Sequence, residues 1–230
     1  MRKILTSAVI TCAGDGSRFG HNKLMASLGG KPVFIRTIQR FVQAEDIDEI
    51  LVAAREDEIK NYHRLIKKEG LKVRLVKGGE QRHISAYNCV KQAQGRYVVT
   101  HDGARPLISP GLINKIAQET KKNQAVILAV ETHTSIKKIN DFCVTECLAR
   151  KETWLAQTPQ AFERQIILKA YEKAIREKEA VSTDDSELVS RLGIAVKIIP
   201  GDFKNIKITV PLDLLIARSL YRETNGEKNV

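Results

Sequence analysis

Long apolar runs, paired cysteines and aromatic residues are all scarce in this sequence, and each scarcity removes a class of protein. No apolar run approaches the roughly 18 to 20 residues that cross a membrane, and the opening MRKILTSAVITCAG is too short in its apolar part to read as a secretion signal. The expectation is a cytoplasmic chain without a membrane partner. The four cysteines, Cys12, Cys89, Cys143 and Cys147, include no C-x-x-C pair and are too few to staple 230 residues. They read as reduced thiols, and Cys143 with Cys147 lacks the spacing of a zinc site. Aromatic residues make up only 5% of the chain and are not interleaved with the basic ones, which argues against a stacking platform for single-stranded nucleic acid.

What the chain has in excess is positive charge, 38 Lys and Arg against 27 Asp and Glu, for a formal net charge of +11. That excess suits either a nucleic-acid surface or small polyanionic substrates. The cations are spread along the sequence instead of forming one arm, so no nucleic-acid partner is expected, and a basic nucleic-acid-binding protein remains as the alternative of another class.

Short apolar, β-branched runs recur at 7–12 (SAVITC), 49–54 (EILVAA), 72–76 (KVRLV), 96–101 (RYVVTH) and 125–130 (AVILAV), each reading as a strand buried on both faces. Helical spacing separates them: Ile35, Ile38 and Val42; Ile59, Tyr62 and Ile66; Leu112, Ile113 and Ile116 after Pro110. Strand alternating with helix predicts an α/β fold with a mostly parallel sheet covered by helices on both faces, and ligands at the carboxyl ends of its strands. The alternation breaks over 131–162, which reads as a projecting β-arm at about 131–156 with strand pieces near 135–139 and 143–148. A helix resumes at Ile167, Ala170, Tyr171, Ala174 and Ile175, and a short one follows STDD, where Asp184 and Glu187 have capping-box spacing. VKIIP and NIKITV read as late strands, and Leu212, Leu215, Ile216 and Leu220 as the stripe of a last helix. Residues 1–230 are expected to form a single domain.

Three strand ends carry chemistry. After the first strand, CAGDGSRFGHNK supplies glycines whose backbone N–H groups suit phosphate oxygens, with Arg18 and Lys23 as added charge; the alternative is a glycine-rich turn with solvated cations. The P-loop pattern and the third glycine of a dinucleotide fingerprint are both missing, and Arg55 stands where a dinucleotide oxidoreductase would want an acidic ribose ligand. After the third strand, Gly78 and Gly79 permit a tight turn whose backbone suits the edge of a base, with Ser85 in support; taken alone the pair is an ordinary turn. After the fourth, Asp102 leaves the sheet beside Gly103 and Ala104, well placed for Mg²⁺ next to substrate phosphates, with Arg105 facing an anion. The alternative there is an Asp102–Arg105 ion pair capping a helix. Further along lie Arg150, Trp154, QTPQAF and KNIKIT, bringing more cations toward the same edge.

AGDGSRFGHNK, GGEQRHIS, HDGARP, SIK, Arg150 with Trp154, QTPQAF, STDD and NIKIT followed by PLDL, in this order and at these separations, resemble the 2-C-methyl-D-erythritol 4-phosphate cytidylyltransferases over nearly the whole chain. The resemblance implies a Rossmann-like nucleotidyltransferase fold, a β-arm exchanged within a homodimer, CTP and a polyol phosphate as substrates, and Mg²⁺ as cofactor. It implies Cys12, Ala13, Gly14 and Gly16 along the triphosphate, and Arg18 and Lys23 as catalytic cations on the phosphates. Gly79, Glu80 and Ser85 become the cytosine-reading turn, and Asp102 the ligand of nucleotide, metal and acceptor substrate, with Arg105 beside it as a further substrate contact. Ser135, Arg150, Thr158 and Lys207 become contacts of the acceptor phosphate, Arg150 and Lys207 with a catalytic part and Ser135 and Arg150 from the other subunit. Three positions depart from the family pattern: Thr134 and Ala149 stand where relatives usually carry Asp, and Lys204 where some carry an acidic residue. Ribitol 5-phosphate cytidylyltransferases share much of this pattern and are the nearest rival.

Overall fold

The computed structural model describes residues 5–14, 19–20, 22–177 and 184–224. Its centre is a seven-stranded sheet. The strands are β1 (Thr6–Cys12), β4 (Glu49–Ala54), β5 (Arg74–Lys77), β6 (Tyr97–Asp102), β7 (Ala125–Glu131), β10 (Trp154–Glu163) and β11 (Lys197–Pro200), while β2 (Ser27–Leu28) and β3 (Lys31–Pro32) form a separate small pair. The seven lie in the order β11-β7-β10-β6-β1-β4-β5. β1 pairs in parallel with β4 and β6, β4 with β5, and β7 with β11, while β10 runs antiparallel between β6 and β7.

Period-two alternation divides the apolar runs between two cores. Ala8, Ile10 and Cys12 of β1 face α1 (Val33–Val42), α2 (Ile59–Lys68), α4 (Pro110–Thr120) and α7 (Pro211–Thr224). Val9, with Leu51 and Ala53 of β4, faces α3 (Arg82–Gln92), α5 (Arg164–Arg176) and α6 (Asp185–Ser190). Helices therefore cover both faces, as the continuous apolar runs predict. The edge strand β5 is the exception: only Val76 is buried, and Arg74 and Lys77 face water. Local signals set the helix ends. Ser109 Oγ accepts from Leu112 N (3.3 Å) with Pro110 at the first position of α4, and Asp184 caps α6 by accepting from Ser186 N (2.7 Å) and Glu187 N (3.2 Å).

Three expectations change. The arm is a hairpin of β8 (Lys137–Asn140) and β9 (Cys143–Cys147), and the sheet takes the chain back at Trp154, so 154–156 belong to β10 and not to the arm. NIKITV is no strand: Ile208 N donates to Ala104 O (2.9 Å), and Arg105 Nη1 donates to Asn205 O (2.8 Å), so this segment pairs with the loop after β6, where no ladder propagates. In α7 the buried face is Leu214 and Ala217, whereas Leu212, Leu215 and Ile216 are exposed. Val42 at the end of α1 is likewise half exposed.

Candidate active site

The carboxyl ends of β1, β5 and β6 meet because their loops are made of residues with little or no side chain. Gly103 N donates to Thr11 O (3.0 Å), and a Cβ on Gly103 would overlap the Cys12 sulfur. Gly78 N donates to Ala54 O (2.8 Å), and a Cβ there would lie 2.5 Å from the Ala13 Cβ. Glycine at both places is thus a packing requirement that brings three loops into contact. Gly14 has open space around it. Burial raises the Cys12 thiol far above the usual range, assisted by Cys89 and Asp102, so the thiol is no nucleophile.

Buried Ser85, on the first turn of α3, accepts from Gly79 N (3.0 Å) and sits 3.1 Å from both Gly79 O and Gln81 O. Its single hydroxyl staples the Gly78–Gly79 turn to the helix, which leaves the turn's outer edge and the exposed Glu80 facing outward. Lys23 opens a short 3₁₀ turn, Lys23–Met25. Asn22 holds that turn by accepting from Leu24 N (3.1 Å) and donating to Glu58 Oε1 (3.1 Å). Gly16 and Arg18 lie outside the described residues.

The electrostatic centre is Asp102, last residue of β6 and only 6% exposed. Arg82 Nε donates to its Oδ1 at 2.9 Å; Lys207 Nζ lies 2.8 Å and Arg105 Nε 3.6 Å from its Oδ2. Burial pushes the carboxyl up, but Arg82, Lys207 and Arg105 together hold it well below the usual carboxylate range. Arg82 in turn bonds Asp185 Oδ1 through Nη1 (2.7 Å); despite its burial, Asp185 and Asp102 push the guanidinium upward, so it stays charged.

Beneath Asp102 runs a neutral relay. His101 Nε2 contacts Arg105 O (3.1 Å), a group that only accepts, so Nε2 carries the proton and Nδ1 accepts from the Thr158 hydroxyl (3.0 Å). Burial lowers His101 to about 3, consistent with a neutral ring. Thr158 Oγ1 also accepts from Asp102 N (3.1 Å). The Thr158 hydroxyl, read from sequence as an acceptor contact, is therefore engaged with protein on two sides. It reaches this place because β10 shifts register between Gln157 and Gln160, a bulge that contains Thr158 and the cis-linked Pro159. Buried Asn205 donates to Thr158 O (2.8 Å) and Gln157 Oε1 (3.2 Å), fixing the segment that carries Lys207.

The structure thus brings Asp102, Arg105, Thr158 and Lys207 into one cluster beside the Cys12–Gly14 and Gly78–Gly79 turns. It leaves Ser135 and Arg150 exposed at the arm, outside that cluster. Lys204 pairs with Glu223 on the surface at 3.3 Å. Sequence reasoning passed over Arg82, His101 and Asp185. Arg82 and His101 sit inside the quoted motifs GGEQRHIS and HDGARP, but nothing in spacing alone tells an ion-pair partner of Asp102 from a solvated helix cation.

Comparison with known proteins identifies the family of the chain. The sequence model of the family described as IspD, 2-C-methyl-D-erythritol 4-phosphate cytidylyltransferase, matches residues 6–223. The 2-C-methyl-D-erythritol 4-phosphate cytidylyltransferase of Pelotomaculum thermopropionicum is 39% identical over 229 residues, covering 96% of this chain and 95% of the relative. That of Halalkalibacterium halodurans is 36% identical over 222 residues, covering 94% and 97%. Among solved structures, the 4-diphosphocytidyl-2C-methyl-D-erythritol synthase of Anaerococcus prevotii superposes with a TM-score of 0.84 at 33% identity, covering 94% of this chain and 98% of that one. The Thermus thermophilus cytidylyltransferase gives 0.80 at 27% identity, covering 95% and 100%. A family match along nearly the full sequence, on a sheet whose strand ends gather these cations, makes the chain a member of the 2-C-methyl-D-erythritol 4-phosphate cytidylyltransferase family.

Proposed function

We propose that this enzyme transfers the cytidylyl group of CTP to 2-C-methyl-D-erythritol 4-phosphate, giving 4-diphosphocytidyl-2-C-methyl-D-erythritol and pyrophosphate in isoprenoid precursor synthesis. Beyond family membership, the observation that carries the reading is the gathering of Arg82, Arg105 and Lys207 around one carboxylate at the carboxyl end of β6, beside two glycine turns.

A phosphate oxygen of the acceptor attacks the α-phosphorus of CTP; the new P–O bond forms as the bond to the β-phosphate oxygen breaks, and pyrophosphate departs with the electron pair. A phosphate monoester is largely dianionic at neutral pH, its second pKa being about 6, so no strong base is required. The obstacle is repulsion between two polyanions, and catalysis is positioning plus neutralisation of charge. In this reading Cys12, Ala13, Gly14 and Gly16 line the triphosphate by backbone, Arg18 and Lys23 meet charge on the phosphates, and Gly79, Glu80 and Ser85 form the base-reading turn. Arg105 and Lys207 receive the acceptor phosphate above Thr158.

Mg²⁺ characteristically takes one or two carboxylates plus substrate phosphates. Asp102 Oδ2 suits that role better than Oδ1: of its two cations, Lys207 is a flexible side chain 35% exposed and Arg105 Nε stands off at 3.6 Å, whereas Oδ1 is held by Arg82 between two buried carboxylates. No group of three acidic, His or Cys ligands occurs among the described residues, so substrate oxygens and water would complete the shell. When bound, the ion supplies charge neutralisation on the triphosphate.

We further propose a homodimer joined through the arm. A two-stranded hairpin is marginal alone, and this one exposes Ile139 (59%), Phe142 (97%) and Val144 (59%), side chains that a second copy would cover. In that dimer Ser135 and Arg150 would reach the partner's site. A cytoplasmic setting suits the four free thiols. No helix among the described residues is long and apolar enough to cross a membrane.

The test is Mg²⁺-dependent pyrophosphate release from CTP with 2-C-methyl-D-erythritol 4-phosphate and ribitol 5-phosphate in parallel. Release with the first alone is expected; release with the second alone overturns the acceptor assignment and leaves the nucleotidyl transfer standing.

A further inference from the structure

Arg82, the first residue of α3, lies between two carboxylates from different parts of the fold. Its Nε meets Asp102 Oδ1 at 2.9 Å and its Nη1 meets Asp185 Oδ1 at 2.7 Å, with the two carboxylates 8% and 1% exposed. Asp185 is itself immobilised. It opens α6, whose start is tied to β10 at the bulge: Gln160 Nε2 donates to Asp184 Oδ2 (2.8 Å) and Ser186 N donates to Gln160 Oε1 (3.0 Å). Desolvating two acids and a guanidinium is costly, so such a triad is a poor source of stability. What a planar fork fixed at both ends provides is direction. Here that direction is imposed on Asp102, whose other oxygen faces Lys207 and Arg105 at the carboxyl end of β6.

We infer that Arg82 is a positioning residue of the transfer reaction, anchored by Asp185 and acting through Asp102, whose carboxylate it orients toward the substrate side. The inference rests on the reading of Asp102 as a substrate-site residue. It makes α6 a structural support of the chemistry, through the Asp185–Arg82 pair.

The test is a double-mutant cycle on the full chain, with kcat, KM for CTP and for the acceptor, CTP binding by calorimetry, and thermal melting recorded for each variant. Arg82→Gln is expected to lower kcat at least tenfold while KM and Kd for CTP change less than twofold. Arg82→Lys, which keeps the charge without the fork, is expected to restore only part of the loss. Arg82→Gln combined with Asp102→Asn is expected to be no slower than Asp102→Asn alone. Additive losses overturn the inference, as does a folded Arg82→Gln enzyme with unchanged kcat. Wild-type activity in Asp102→Asn would instead remove the reading of Asp102 on which the inference stands. Should Arg82→Gln fail to fold, Asp185→Asn takes its place: it frees one end of the fork, and an unchanged kcat there overturns the inference too.

Discussion

Lys207 Nζ sits 2.8 Å from Asp102 Oδ2, yet the two groups differ sharply in freedom: the carboxylate is 8% exposed and the ammonium side chain 35%. The buried partner is fixed and the half-open one can change hands. On the proposed reading, an incoming acceptor phosphate draws Lys207 away from Asp102.

Lys207→Ala should raise KM for the acceptor phosphate by about ten- to a hundredfold, the range expected for losing one charge-assisted hydrogen bond of about 1.5–3 kcal/mol. CTP binding, measured by calorimetry, should be unchanged. A loss of CTP affinity with acceptor KM intact would place Lys207 at the nucleotide instead.

Lys23→Ala should lower kcat on the order of 10²-fold, with a much smaller effect on CTP affinity, if the ammonium meets charge that grows during transfer. Steady-state kinetics check this; an unchanged kcat with a raised KM for CTP would make Lys23 a ground-state contact only.

Gly103→Ala should cost about 1–3 kcal/mol of stability, because the new methyl overlaps the Cys12 sulfur in a packed interior. It should also weaken CTP binding, since relief of the overlap moves the β1 loop or Asp102. Urea melts together with CTP titration separate the two effects.

His101 stays neutral in the folded chain down to about pH 3, whereas in the unfolded chain it protonates near its ordinary value of about 6.5. Because the unfolded state then binds the extra proton, stability is fully present above pH 6.5 and is lost as the pH falls toward 3. The slope from this one group is at most about 1.4 kcal/mol per pH unit. Chemical denaturation between pH 7 and pH 4.5 should show a shallower decline in His101→Gln than in the wild type.

Ile139→Asp on the arm should shift sedimentation toward monomer, and with it lower turnover, because Ser135 and Arg150 would no longer reach a partner's site. A monomeric wild-type enzyme with full activity would end the dimer proposal.

Much of the sheet was legible because buried parallel strands are written as uninterrupted apolar runs: EILVAA occupies 49–54, the bounds of β4. β10 was not legible. Its middle carries Gln157, Thr158, Pro159 and Gln160, polar and proline-containing residues that suit a bulge at a site and break the alternation of a strand. NIKITV misled in the opposite direction, since Ile206 and Ile208 are apolar to pack against the core while Ile208 N pairs with a loop, at Ala104 O. At the site, Asp102 and Arg105 stood out because they leave a strand together. Arg82 did not, because its meaning depends on Asp185, 103 positions away.

β10 lies antiparallel between β6 and β7, and the arm is spliced between Glu131 and Trp154, which stand opposite one another in the β7–β10 ladder. Everything from Thr132 to Thr153 is thus a cassette with a paired doorway, and the seven-stranded frame would close behind it whatever its length. On the proposed reading, an arm exchanged at that doorway would change the acceptor and partner contacts while Thr158 stays beneath Asp102.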